Sequence, residues 1–396
     1  MNNDMEEISL LEVLSQDARE LRIKSASSFD KIAGPYSKRI VLFGAGGLGK
    51  QIARGLIAAG ITPIAFADNG DHLRGQNVMG IPVYTPEEAA SEFSTNAIFV
   101  VAIWRALASE TMQQRKQFLK SLGCERVCSV FTLFWKYSEV FLPYYCADWP
   151  DKIVDAKASI LKAFDLLADQ SSKQVLVNQI AWRLDPEQVD IAGKSPETEY
   201  FPGDLIKLSD REAYVDCGGY DGDTAKHFIQ LTGGRFSQIH VVEPDPNNYV
   251  KIKNWTATLP ATQADGIFLH NIAVSDVVGS VCFAANSAVD SKITGDGEVK
   301  VACDTLDNVL AECRPSLIKM DIEGAEVSAV RGALGVIARA RPILSICLYH
   351  NQSDCWEIPL LVSEHIDDYR YFVKNHGIDG WDLVMYAIPA ERLISG

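Results

Sequence analysis

The chain has 396 residues, 47% of them hydrophobic, which exceeds one ordinary domain and is ample for two or three buried cores. A formal net charge of -15 excludes partners whose affinity comes from neutralising phosphates, so neither nucleic acid nor an anionic membrane surface is expected. A small-molecule or glycan acceptor, neutral or cationic, fits this balance.

The opening MNNDMEEISLLEVL carries acids where a secretory leader needs positive charge, and no apolar run approaches the roughly 18 residues of a membrane span. A cytoplasmic protein without membrane insertion is the expectation. Ile8, Leu11, Leu14 and Leu21 recur at near-helical spacing, so residues 1–35 read as an amphipathic helix and connector. That helix would pack on the next domain or, in a homo-oligomer, on a partner subunit. Nine cysteines between Cys124 and Cys355 show no CxxC pair and read as reduced, mostly buried thiols. Cys124 and Cys128 find no second pair that would complete a zinc site.

From Arg39 to about Thr132 the apolar runs RIVLFG, TPIAFAD, GIPVYT, AIFVVAI and RVCSVFT alternate with helical patterns, the signature of a parallel sheet covered on both faces. Residues 36–140 are therefore expected as a Rossmann-like nucleotide-binding domain. Gly44, Gly46 and Gly49 form GxGxxG where a strand meets a helix, and Asp68 ends the second strand about 20 residues on, where a carboxylate binds ribose hydroxyls. This turn suits a nucleotide or nucleotide-sugar, yet the unit has no Tyr-x-x-x-Lys pair for dehydrogenase or epimerase chemistry. The words AFADN and GIPVYTPEEA resemble the small Rossmann-like N-terminal domain of sugar-modifying acyltransferases of bacterial polysaccharide pathways. Residues 141–198, beginning FLPYYCADW within an aromatic-rich stretch, read as a helical bridging region, with those aromatics as interface core.

A second alternating unit occupies residues 199–396, with strands expected in EAYVDCG, QIHVVEP, FLHNIAV, SLIKMDI, PILSICLY, YRYFVKNH and DLVMYAIP. The linker GIDGWD is too short for a helical crossover, so the last two strands should form an antiparallel hairpin at the sheet edge. SVCFAA and EVKVAC read as an inserted hairpin. The first turn, VDCGGYDGDT, contains Asp216, Asp221 and Asp223, and each would repel a phosphate. S-adenosylmethionine resolves the conflict: it carries a sulfonium and an ammonium, so glycines admit its backbone approach while carboxylates complement its charge. Asp223 at the helix entry serves equally as a cap. Glu243, about 20 residues past the glycines, can accept both ribose hydroxyls of the adenosine.

With KMDIEGAE, Lys319 to Glu326, these stretches resemble the FkbM family of S-adenosylmethionine-dependent methyltransferases over roughly the last 200 residues. The resemblance implies a class I methyltransferase sheet of seven mostly parallel strands, which makes the whole chain an α/β protein of two Rossmann-like units. It also implies that Asp216, Gly218, Gly219, Tyr220 and Gly222 surround the methionine part of the cofactor, with Glu243 on the ribose. Asn271 and Ala273 would lie beside the adenine, and Asp321, Glu323 and Glu326 where the methyl group is presented.

Methyl transfer is an in-line displacement at carbon, and an alcohol acceptor must also lose a proton. His350, ending the fifth strand, is the first candidate base and Asp321 the second; His350 could equally hold Asp354 or a backbone carbonyl in place. No His/Asp cluster adjoins DIEGAE in the sequence, so no metal is expected. The leading expectation is O-methylation of a sugar or glycan-precursor hydroxyl. The alternatives are an NAD- or nucleotide-sugar-dependent oxidoreductase or epimerase working through Gly44 to Gly49, and a non-catalytic scaffold.

Overall fold

Most of the apolar runs form strands, and they do so in separate sheets, in the computed structural model, which describes residues 10–105, 109–191, 193, 199–283 and 299–393. The chain divides into two units. The first comprises Met1–Ala158, Gln174–Pro196 and Asn375–Asp382; the second comprises Ser159–Lys173, Glu197–Lys374 and Leu383–Gly396. The stretch expected as a bridge, 141–198, is thus shared between the two rather than forming a body of its own.

In the first unit the strands are β1 (Ile40–Phe43), β2 (Ala65–Ala67), β3 (Asn77–Val78), β4 (Ile81–Tyr84), β5 (Ile98–Val101) and β6 (Val127–Ser129), in the spatial order β3-β4-β2-β1-β5-β6. All pairs are parallel except β3 on β4. Every residue of β1 and β5 is buried, as unbroken Ile/Val/Leu/Phe runs require when both faces are covered. The strand expected through Phe131 and Thr132 stops at Ser129, whose hydroxyl accepts from Phe131 N and starts the helix Val130–Lys136. β3 was not foreseen, since two residues with no buried side chain leave no apolar pattern. The N-terminal helix α1 (Ala18–Ala33) starts at Asp17, which accepts from Glu20 N, and buries Leu21 and Phe29; Ile8 lies outside the described residues.

The aromatic residues are core. Trp104 packs against Phe131, Tyr145, Trp182 and Trp381 with ring centroids 4.8 to 6.5 Å apart. Its Nε1 donates to Asp379 O at 2.8 Å, and Met112 N donates to Asp379 Oδ2 at 2.7 Å. These bonds explain why the loop Asn375–Asp382 belongs to the first unit although it joins two strands of the second.

The second unit holds β7 (Ala213–Cys217), β8 (Gln238–Val242), β9 (Ile267–His270), β10 (Ala273–Val274), β11 (Gly279–Phe283), β12 (Val299–Asp304), β13 (Leu317–Met320), β14 (Ile343–Cys347), β15 (Tyr369–Asn375) and β16 (Leu383–Pro389). Seven of them form one sheet in the order β15-β16-β14-β13-β7-β8-β9. Strands β9, β8, β7, β13 and β14 pair in parallel and β16 pairs antiparallel with β14. The run FLHNIAV, expected as one strand, is two. At Asn271 the side-chain amide turns to Glu243 O and Pro244 O, and β10 leaves to pair with β12 in a small sheet with β11. β11 and β12 are antiparallel, as the inserted hairpin requires, and residues 284–298 between them lie outside the described ones. Along β15, Ala168 N donates to Tyr371 O at 2.9 Å and Val373 N donates to Ser172 Oγ at 3.0 Å, so the short segment Ser159–Lys173 pairs with that strand. No helix among the described residues is long and apolar enough to cross a membrane.

Candidate functional site

Strand order reverses between β7 and β13: the chain runs outward from β7 to β8 and β9, then returns to β13 and β14 on the other side. In open α/β sheets ligands bind beyond the carboxyl ends of the strands at such a reversal. The turn after β7 is built for close approach. Gly218 has φ +82°, and a Cβ there would lie 1.8 Å from Asp321 O, just past β13. Tyr220 follows with φ +46° and is 44% exposed, the one turn residue whose large side chain faces solvent.

Beneath this turn lies a buried ion pair. Asp216 and Lys319 are directly opposite in the β7–β13 register, with Lys319 Nζ 3.1 Å from Asp216 Oδ1 and 2.7 Å from Gly218 O. Burial pushes the Asp216 carboxyl up to about 6 against the pull of Lys319, whose own pKa is raised because Asp216 and Asp321 outweigh its burial. Asp216 is fully buried, so its part at this site is to fix Lys319 and, through it, the carbonyl of the glycine turn. Asp221 is paired with Lys226 at 3.5 Å, and Asp223 Oδ1 accepts from Thr224 N at the start of the helix Asp223–Leu231. Gly222 caps that helix, and a Cβ on it would meet Trp255 at 2.8 Å; on Gly219 one would meet Val241 at 2.3 Å.

Glu243, just past β8, points back to the same turn. Its Oε2 accepts from Tyr220 N at 2.8 Å and its Oε1 from Asp245 N at 2.8 Å. Burial pushes its carboxyl up to about 7 in spite of these donors. Each oxygen retains a lone pair for one more hydroxyl. Asn271 is exposed and braces the Glu243–Pro244 backbone, while Ala273 is buried in β10.

Past β13 and β14 the acids of DIEGAE meet a histidine from the next strand. Glu326 is fully buried; its Oε1 accepts from Ile322 N at 2.8 Å and its Oε2 from Gly324 N at 3.0 Å. His350 Nδ1 lies 2.7 Å from Glu326 Oε1, and its Nε2 lies 3.3 Å from Asp321 Oδ1 and 3.9 Å from Glu323 Oε2. Burial works against a charged imidazole here, but Glu326, Glu323 and Asp321 prevail and hold its pKa up to about 10. An imidazole that holds its proton has no lone pair with which to take another, so this charge weakens His350 as a general base. Its Nδ1 partner is Glu326 rather than Asp354, which instead accepts from Asn351 N. Asp321 accepts from Tyr200 OH at 2.9 Å and Tyr349 OH at 3.1 Å. Burial raises its carboxyl, but Lys319, His350 and the two phenols bring it below the ordinary value, so it too is a weak base.

A stability test follows from this arrangement. His350→Gln leaves buried Glu326 without its cation and should cost about 3–5 kcal/mol in urea unfolding near pH 7. The sign with pH is fixed by a folded value raised from 6.5 to about 10: this stabilisation is fully present below pH 6.5 and is lost as pH rises through 10. Wild type should lose stability relative to the variant across that window, and parallel curves would show that the imidazole is uncharged.

In the first unit the reversal falls between β1 and β5, and a Cβ on Gly49 would sit 2.0 Å from Gly44 O. Gly46 precedes the helix Gly47–Ala58. Asp68 Oδ2 accepts from Ala45 N at 2.7 Å and Oδ1 from Gly70 N at 2.8 Å, so this carboxylate braces its own glycine turn.

Sequence reasoning missed Tyr200, Lys319 and Tyr349. For Lys319 there was a signal: a lysine inside a buried strand needs a carboxylate, and Asp216 stands at the matching place in the neighbouring strand. Nothing in EYF or LYH marks the two phenols.

Residues 216–378 match the family model described as the methyltransferase FkbM domain. The fold is similar to the crystal structure of methyltransferase FkbM from Methylobacillus flagellatus KT, with TM-score 0.76 and 21% identity over 98% of this chain and 99% of that one. A precorrin-6y C5,15-methyltransferase from Geobacter metallireducens GS-15 aligns with TM-score 0.30 and 9% identity over 46% of this chain and 83% of its own. No curated protein matches the chain.

Proposed function

We propose, from the match of residues 216–378 to the methyltransferase FkbM domain, that the chain is a methyltransferase of the FkbM family and transfers the methyl group of S-adenosylmethionine to a hydroxyl of a sugar or glycan precursor. The observation that carries the cofactor is Glu243: a buried carboxylate at the end of β8, tied to Tyr220 N of the acid-rich glycine turn and holding free lone pairs for two ribose hydroxyls. Gly218, Gly219, Tyr220 and Gly222 admit the methionine part, Asp221 adds negative charge beside it, and Asn271 and Ala273 border the adenine. Asp216 acts from below through Lys319. Asp321, an anion about a quarter exposed at the crevice, faces the sulfonium and ammonium, and Glu323 stands beside it. A hydroxyl as acceptor, and a sugar as its bearer, rest on the family and not on a residue that reads the sugar. We also propose the turn Gly44, Gly46, Gly49 with Asp68 as a subsidiary site for a nucleotide or nucleotide-sugar.

Calorimetric titration with S-adenosylhomocysteine, followed by NAD and a panel of UDP-sugars, tests this reading. S-adenosylhomocysteine should bind one per chain, and because Glu243 gains a proton as pH falls through about 7, affinity should drop below that pH, toward about tenfold per unit. Absence of that binding, with NAD or a UDP-sugar bound instead, would move the chemistry to the first unit.

A further inference from the structure

The side chains that meet past β13 and β14 form a donor set. Asp321, Glu326 and His350 each place a ligand-type atom within 4.8 Å of the others. More telling is how the imidazole is held. Its Nδ1 is 2.7 Å from Glu326, a carboxylate fixed by two backbone N–H groups, so the ring cannot rotate and its Nε2 is directed at Asp321 Oδ1 and Glu323 Oε2.

We propose that His350 Nε2, Asp321 and Glu323 bind a divalent transition-metal ion, with Glu326 orienting the histidine from behind. Donors bound at about 2.0–2.2 Å to one ion lie about 3 Å apart. Nε2 and Asp321 Oδ1, at 3.3 Å, already have that separation, and Glu323 Oε2 stands 3.9 Å from Nε2 on a side chain about a quarter exposed. A histidine that gives its far nitrogen to a carboxylate is the arrangement that sets tautomer and ring direction at protein metal centres. The two phenols of Tyr200 and Tyr349 do the same for Asp321. One imidazole with two carboxylates favours manganese, iron, cobalt or zinc over magnesium, which prefers oxygen alone.

The ion takes the place of the proton on Nε2, and that proton passes to solvent. Its remaining positions are open to water or to the acceptor, whose hydroxyl would ionise more readily when bound to it. This consequence rests on the methyltransferase reading; the binding of the ion does not.

Cobalt(II) is the probe, because its visible bands report nitrogen and oxygen ligation directly. The full-length chain, freed of metal and of any histidine tag, should take up one cobalt per chain with new visible absorption. Glu323→Gln keeps the side-chain volume at a partly exposed position and should weaken cobalt binding by about tenfold or more, the size even an outer partner of a metal centre carries. His350→Gln should abolish the bands. No uptake at millimolar cobalt, or binding undiminished in either variant, would overturn the site; if His350→Gln does not fold, Glu323→Gln decides alone. S-adenosylhomocysteine titrated without metal reads the cofactor crevice separately, so failure of one reading is not failure of the other.

Discussion

Replacing Glu243 by alanine should raise the dissociation constant of S-adenosylhomocysteine by about 10²- to 10⁴-fold, the largest effect expected of any single side chain at the crevice. The size follows from two ribose hydroxyls losing a charged acceptor, each bond worth about 1.5–3 kcal/mol. The same substitution releases Tyr220 N and Asp245 N, so some of the loss could come from a loosened turn. Two controls divide these effects. Urea unfolding without ligand reads the turn alone, and Glu243→Gln retains one carbonyl oxygen while presenting an amide NH2 donor at the second position. Cofactor affinity should follow the order wild type, glutamine, alanine. Affinity unchanged in the alanine variant would remove Glu243 from the binding site and, with it, the observation on which the cofactor rests.

Gly218→Ala should be the most disruptive small change in the second unit. A methyl group at this position would lie 1.8 Å from Asp321 O, and the obstacle is backbone of the adjoining strand end, which cannot swing aside as a side chain would. The expected loss exceeds about 4 kcal/mol, enough to unfold a marginal domain, and cofactor binding should vanish with it. Gly233→Ala is the matched control. Gly233 also has positive φ, +59°, but nothing lies within 4 Å of its added carbon, so only the left-handed backbone term of about 1–2 kcal/mol applies. The difference between the two variants in urea measures the contact between the ends of β7 and β13. Equal losses would mean that those strand ends are not apposed as described.

Much of this architecture was legible because its causes are local. Unbroken apolar runs marked the parallel strands, the short GIDGWD linker marked the hairpin, and acids among glycines at VDCGGYDGDT separated the second turn from the phosphate-friendly first. What was not legible depends on residues brought together across strands. His350 reads in the sequence as an ordinary imidazole, whereas Glu326, Glu323 and Asp321 beside it raise its pKa, and no spacing rule announces them. The same acids seemed to lack a histidine because theirs arrives 24 residues after Glu326. FLHNIAV read as one strand because Asn271 breaks it with a side-chain bond to Glu243 and Pro244, not with a glycine or proline. The segment 141–198 read as a bridge because its helical pattern is continuous, whereas its partition reflects where each part finds its contacts.

The motifs invite a cut near residue 198, yet such a cut would strip β15 of the segment that pairs with it through Ala168 and Ser172. β15 is the last strand of its sheet, so its free N–H and C=O groups would become a template for another chain. A fragment that keeps the whole matched domain, residues 216–378, would thus gain an adhesive border, and its failure to stay soluble would reflect an uncovered edge rather than a fault in that domain. The portable unit of this protein is accordingly larger than its methyltransferase signature.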